Sequence, residues 1–301
     1  MPEEMGCPMN AAHTVRFSQV DVFSAVPFKG NPLAVVFDAD GLDTAQMQAI
    51  ARWTNLSETA FLLQPDDPDA DYRVRIFTTG GELPFAGHPT LGTAHALRES
   101  GYRPRHPGRL VQQCGVGLVE LTERSDGRWA FAAPRARITP LPAARHAELA
   151  RALHSEAIDF AAPPCTVDNG APWLVVRMQS ATDCLALQPD IAALAPMTQV
   201  AGTDGLAIYG PHASGGPADF ELRCLMTGGS FGVGEDPVTG SANAALACLL
   251  DAQGKRPATS YTVRQGTALQ RDGRVAIDHD GDGRIWIGGA CVTVIEGRFR
   301  Y

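Results

Sequence analysis

The stretch RIFTTGGELPFAGHPTLGTAHA at residues 75–96 returns without a gap as RCLMTGGSFGVGEDPVTGSANA at 223–244, and this duplication constrains the fold more than any other feature. One offset of 148 (223 − 75) relates the identical pairs Arg75/Arg223, Thr79/Thr227, Gly80/Gly228, Gly81/Gly229, Pro89/Pro237, Gly92/Gly240, Ala94/Ala242 and Ala96/Ala244, with Thr93/Ser241 chemically alike. A period of this length far exceeds solenoid repeats of roughly 20–50 residues, so it marks duplicated domains. Upstream, Gly30-Asn31-Pro32-Leu33-Ala34-Val35-Val36 faces Gly170-Ala171-Pro172-Trp173-Leu174-Val175-Val176 at an offset of 140 (170 − 30). About eight residues of insertion therefore separate the two matches in the second copy. The 301 residues divide into two related domains, each near the common size of roughly 100–150 residues and able to bury its own core.

Strands are expected at 17–23, 33–37, 60–63 and 72–77, rich in Val, Phe and Ile and bounded by Gly and Pro turns. The 31 Gly and 22 Pro suit a turn-rich, largely antiparallel architecture. A helix is expected from Asp43, with Gln46 completing a capping box and Leu42 stapling against Met47. It ends near Asn55, leaving Leu56-Ser57-Glu58-Thr59 as a tight turn into the next strand. In the second half the pattern predicts a helix near 145–154, strands at 173–178, 206–209 and 220–225, and a helix after Pro237. The Pro-rich stretch 134–142 reads as the linker. The domains are then 14–133, with the C-terminal strand 290–301 as a candidate addition, and 134–289; residues 1–13 read as a loose leader.

Composition excludes several classes. With 45% hydrophobic and 19% charged residues the chain is globular rather than disordered. A net charge of −8 without any basic run opposes nucleic-acid binding. No stretch approaches the roughly 20 apolar residues of a membrane span, and the first residues lack an apolar signal core, so a cytoplasmic location is expected. Seven cysteines, scattered and without a C-x-x-C pair, read as small buried hydrophobes in a reducing compartment.

Cofactor signatures are missing in the same way. The lysines are Lys29 and Lys255 alone, both in Gly-adjacent loops and poor candidates for a pyridoxal Schiff base. Gly232-Val233-Gly234 lacks the third glycine of a dinucleotide fingerprint, and no G-K-[ST] closes a phosphate loop. Residues 278–283 begin like a calcium loop, but Gly289 stands where the bidentate Glu is required, so a hairpin is expected. The eight histidines show no metal-ligand spacing, and neither metal nor cofactor is expected.

The chemistry of the repeat starts with its prolines. Pro89 and Pro237 each suit the first position of a helix, where the missing N–H costs nothing, which would make His88 and Asp236 the caps. Two helix starts would then offer unpaired N–H groups and a positive dipole end to a carboxylate or phosphate. Gly87, Gly92 and Gly240 would clear room for close approach of a ligand, and Ser241 would add a hydroxyl. An Asp-Pro pair opening a helix also serves as a plain cap, and the residues by themselves leave both roles open.

Taken in order, Val20-Asp21-Val22-Phe23, Gly30-Asn31-Pro32, Ser57-Glu58-Thr59, Phe85-Ala86-Gly87-His88-Pro89-Thr90 and Glu235-Asp236-Pro237-Val238-Thr239-Gly240-Ser241-Ala242 resemble the phenazine-biosynthesis (PhzF-like) isomerases, related by fold to diaminopimelate epimerase and proline racemase. The resemblance spans nearly the whole chain. It implies an α+β fold of two similar lobes, each a curved, mostly antiparallel sheet around a central helix, with the active site in the cleft between them. The central helices would start at Pro89 and Pro237. It further implies that Glu58 acts as acid and base, that His88 and Asp236 bind and polarise the substrate, and that the backbone at Gly87 and at Gly240-Ser241 holds its carboxylate. The family's type reaction is the isomerisation of a dihydro-hydroxyanthranilate by a single carboxylate without cofactor. A homodimer is expected from the resemblance alone.

Local chemistry agrees with those roles. Glu58 precedes the apolar run Ala60-Phe61-Leu62-Leu63, where burial would raise its pKa toward neutrality. A helix N-terminus at His88 disfavours the imidazolium and favours a neutral ring. Racemases of the superfamily use two thiols, whereas the loops 86–88 and 235–240 contain no cysteine and Cys248 lies several residues further on. A cofactor-free racemase working through Glu58 with Asp236 or His88, and a protein that binds a small acid without turning it over, remain as alternatives.

Overall fold

A computed structural model describes residues 14–228 and 233–301. The expected leader at 1–13 and Gly229 of the repeat lie outside the described residues. In the first half, hydrogen-bonded strands follow one another in the order Cys291–Arg300, Thr14–Val22, Asn31–Val36, Thr59–Leu63, Tyr72–Phe77, Arg109–Cys114, Gly117–Glu123 and Trp129–Ala132. The second half repeats this step for step with Arg137–Pro140, Cys165–Asp168, Pro172–Arg177, Gly205–Pro211, Phe220–Thr227, Ser260–Gln265, Gly273–His279 and Ile285–Gly289. Parallel pairing falls between the third and fourth and between the fifth and sixth strands of each series, and the other pairings are antiparallel. Trp129–Ala132 and Ile285–Gly289 pair with each other and join the two series.

The edge strands are exchanged between the halves. Arg137–Pro140 follows the first series in sequence but pairs within the second, and Cys291–Arg300 follows the second but pairs within the first. The stretch read as a linker is therefore partly a strand. Its prolines Pro134, Pro140 and Pro142 stand outside the ladder or at its end, where a missing N–H is tolerated.

Each sheet wraps one helix that is buried on nearly every side. The helices, in chain order, are α1 Thr44–Thr54, α2 Gly87–Glu99, α3 His146–Ala152, α4 Ala181–Ala186, α5 Ile191–Ala201 and α6 Gly240–Ala252. Nine residues of α2 and nine of α6 are buried, many of them Gly, Ala and Thr, which lets the surrounding strands approach closely. The other helices cover the outer faces. On the first sheet α1 buries Met47 and Ala51 against Phe61 and Phe77, with the expected Asp43–Gln46 capping box and a left-handed Asn55 at its end. In the second half Leu149 of α3, Cys184 of α4 and Leu194 of α5 share a cluster with Leu174, Val176 and Ile208. The hairpin expected around 278–283 is present: Gly273–His279 pairs with Ile285–Gly289, and Asp280 accepts hydrogen bonds from Trp286 and Arg284 in the turn.

The structural correspondence of the copies corrects the ungapped repeat. Arg75 makes a bidentate pair with Glu82, and Arg223 makes the same pair with Glu235. From there onward the offset is 153 (235 − 82), as it is for Gly87 and Gly240 at the starts of α2 and α6. The five additional residues lie in sequence between Leu225 and Glu235. Pro89/Pro237 and Gly92/Gly240 are therefore matches of residue type between positions that do not correspond. Gly92 faces Leu33 and Val22, whose side-chain atoms would lie 2.6 and 2.7 Å from an added Cβ, so it serves packing beneath the strands and not ligand approach.

Candidate active site

Two helices meet start to start at the centre of the molecule. A Cβ built on Gly240 would lie 3.2 Å from the Cα of Gly87 and 3.4 Å from the backbone N of His88, so any larger residue there would require the facing helix start to give by a few tenths of an ångström. The first-turn N–H groups of α2 and α6 have no acceptor within their own helices and converge on one place. Neither start is the expected one. Ala86 caps α2, leaving His88 inside the helix and Pro89 within the first turn, where a proline is still tolerated. Thr239 caps α6: Asp236 remains in its strand opposite Cys224, and the turn 237–239 intervenes because Gln265 Oε1 accepts from the Thr239 N–H at 3.0 Å.

A cavity of about 490 Å³ opens at this junction, and Glu58, Gly87, His88, Asp236, Gly240 and Ser241 all line it. Glu58 arrives on the turn after α1, one residue before the strand Thr59–Leu63. Its Oε2 lies 3.4 Å from Nδ1 of His88, and both side chains are buried. Burial pushes the Glu58 carboxyl up to about 8, helped by the negative charge of Asp236. Burial lowers His88 to about 3, which keeps the imidazole neutral at physiological pH. Glu58 Oε2 and His88 Nε2 have no hydrogen-bond partner, so both retain capacity for an incoming group.

Asp236 sits in a polar cradle. Its Oδ1 accepts from Asn31 Nδ2 at 3.2 Å and its Oδ2 from Thr239 Oγ1 at 2.5 Å. Burial raises this carboxyl to about 6, against the lowering effect of those two donors. Gln265, fully buried, holds the arrangement from behind. Its Nε2 donates to the Asp236 carbonyl and to Thr239 Oγ1, and its Oε1 also accepts from Asn243. Asn31 belongs to the first half and so ties Asp236 across the junction, donating also to the Val238 carbonyl at 2.9 Å.

The sequence had assigned no roles to Asn31, Thr239 and Gln265. A signal for Gln265 does exist at the corrected offset. Gln112 is its counterpart (265 − 112 = 153), likewise fully buried and donating to Thr90 of α2 as Gln265 serves Asn243 of α6. Phe85, Phe131, Trp173 and Val119 supply the apolar wall, and Trp173 Nε1 donates to Ser241 Oγ at 3.1 Å. No cysteine lines the cavity, and no group of three or more metal-ligating side chains occurs among the described residues. Among the described residues, no helix is long and apolar enough to cross a membrane.

Known proteins share the sequence motifs and the fold. The family model described as phenazine biosynthesis-like protein matches residues 20–297. Antisense-enhancing sequence 1 of Schizosaccharomyces pombe is 39% identical, over 94% of this chain and 97% of its own length. The trans-2,3-dihydro-3-hydroxyanthranilate isomerase of Pseudomonas aeruginosa is 34% identical, over 94% of this chain and 98% of its own. Among solved structures, a PhzF-family phenazine biosynthesis protein from Bacillus anthracis superposes with a TM-score of 0.83 at 25% identity, covering 95% of this chain and 99% of that one. On the shared motifs, the shared fold and this near-complete coverage, the chain belongs to the phenazine biosynthesis-like PhzC/PhzF family.

Proposed function

We propose that this isomerase moves a proton along a small carboxylic acid with Glu58 as its acid and base, without a cofactor. The observation that carries the proposal is the meeting of Glu58 and His88, from different elements, inside a buried cavity where the carboxyl is raised to about 8 and the imidazole stays neutral. A carboxyl so poised exchanges its proton at little cost near neutral pH. The substrate carboxylate binds the converging N–H groups at Gly87 and at Gly240-Ser241. Asp236 and His88 orient an amino or hydroxyl substituent by hydrogen bonds. Glu58 in its ionised form takes a proton from carbon while the electrons of that C–H bond shift along the adjacent double bond. The same group then returns the proton at the far end of the shifted system.

The work is divided between 14–133 with 290–301 and 134–289, and the cleft between them is the site. A homodimer in a reducing cytoplasm completes the proposal; the six described cysteines form no disulfide, which supports such a compartment. The test is proton exchange in heavy water with trans-2,3-dihydro-3-hydroxyanthranilate and related acids. Wild type should incorporate deuterium, and Glu58→Gln should lose the exchange by roughly 10²–10⁴-fold. Exchange by Glu58→Gln at the wild-type rate would remove Glu58 from the chemistry.

A further inference from the structure

We propose that Arg135 and Asn169 form a second anion subsite in the same cavity, so that the acid handled here carries two carboxylates on one small, largely apolar frame. This rests on the function proposed above and narrows its substrate class. Three side chains with a formal charge line the cavity, Glu58, Asp236 and Arg135, and Arg135 is the cation. It is exposed at the mouth and makes no hydrogen bond or ion pair among the described residues, in a chain whose 33 acidic residues outnumber its 25 Lys and Arg. Its acidic neighbour is already taken: Asp168 pairs with Arg137 at 3.1 Å.

Asn169 is the second observation. It lines the cavity at 6% exposure, yet neither its Oδ1 nor its Nδ2 has a hydrogen-bond partner. A buried amide left unused is costly unless an occupant engages it. Both residues adjoin the end of one antiparallel ladder, where Arg137 faces Asp168, and both line the cavity. A guanidinium and an amide N–H₂ that line one cavity offer donors suited to a carboxylate's oxygens. Phe85, Phe131 and Trp173 give the frame between the two carboxylates an apolar surface to lie against.

Calorimetric titration of the intact protein with benzoate and with the 1,3- and 1,4-benzenedicarboxylates tests this without turnover. The wild type should bind one of the diacids about five- to tenfold more tightly than benzoate, an advantage that added salt erodes at so open a mouth. Arg135→Gln should abolish that advantage and leave benzoate unaffected, Arg135→Lys should keep part of it, and Asn169→Ala should reduce it. Diacid binding no tighter than benzoate, or an Arg135→Gln protein that retains the advantage, overturns the subsite while the carboxylate site at Gly87 and Gly240 stands. Failure of benzoate and both diacids to bind overturns the two together.

Discussion

Glu58 and His88 stand 3.4 Å apart with both rings of solvent stripped away, and burial drives their pKa values in opposite directions, so that each is held in its uncharged form around neutral pH. The stability consequence has a definite sign. The folded state retains the Glu58 proton up to about 8 while the unfolded chain releases it near 4.5. Stability from this group is fully present below 4.5, declines as pH rises, and is gone above about 8. Glu58→Gln has no proton to lose. Thermal melts should show the variant equal to wild type near pH 4 and progressively more stable toward pH 8, with the difference then levelling off.

His88 should be silent where an ordinary histidine titrates. With its imidazole lowered to about 3, His88 should show no titration of its own between roughly pH 5 and 8, its ring-proton NMR shifts moving only toward pH 8 as Glu58 ionises 3.4 Å away. A transition near 6.5 would mean that the ring is wetter than its burial indicates.

The three glycines of the repeat should separate by phenotype. An added Cβ at Gly87 would lie 2.8 Å from Phe131 Cζ and one at Gly240 would lie 3.2 Å from the Gly87 Cα, so Gly87→Ala should displace Phe131 and Gly240→Ala should push the helix starts apart, each raising KM. The two costs should not be additive, because the positions adjoin. Gly92→Ala, crowded by Leu33 and Val22, should lower Tm by an overpacking cost of about 1–3 kcal/mol, with KM little changed in the folded fraction.

Asn31 and Gln265 hold Asp236 in different ways and should fail differently. Asn31→Ala removes a donor that favours the ionised carboxylate, so Asp236 should titrate above about 6, a shift that carboxyl-carbon NMR reads directly. Gln265→Leu strands the Thr239 N–H, the Asp236 carbonyl and the Asn243 amide, and should cost about 2–4 kcal/mol in denaturant unfolding.

The first half was legible where signals are local. Asp43 and Gln46 sit three residues apart, and the strands at 59–63 and 72–77 carry continuous or alternating apolar residues, so each element declares itself within a short window. The six candidate site residues were also legible, through motifs whose order and spacing are specific, and the structure gathers them around one cavity. The register of the second copy was not. Pro, Gly and Ala recur at similar spacings in both helical regions, so a shift of five residues still produced identities, and only the paired Arg75–Glu82 and Arg223–Glu235 contacts reveal it. Residues such as Gln265 and Arg135 were hidden for another reason. Gln265 meets Asp236 from 29 positions away, and Arg135 reaches the cavity just before a strand that crosses to the other half, and neither relation leaves a local trace.

The exchange of edge strands also gives the two halves unequal histories during synthesis. Everything the second half pairs with, from Arg137 to Gly289, leaves the ribosome in one continuous run apart from its seam with Trp129–Ala132, which is made earlier still. The strand Thr14–Val22 is made long before its partner Cys291–Arg300, with Thr14 finally opposite Arg300. Until then one edge of that early strand is a bare hydrogen-bonding template, open to any extended segment nearby. Nascent chains stalled before residue 291 are thus the form of this protein most prone to clump, and the newborn chain is the one with most to gain from a chaperone.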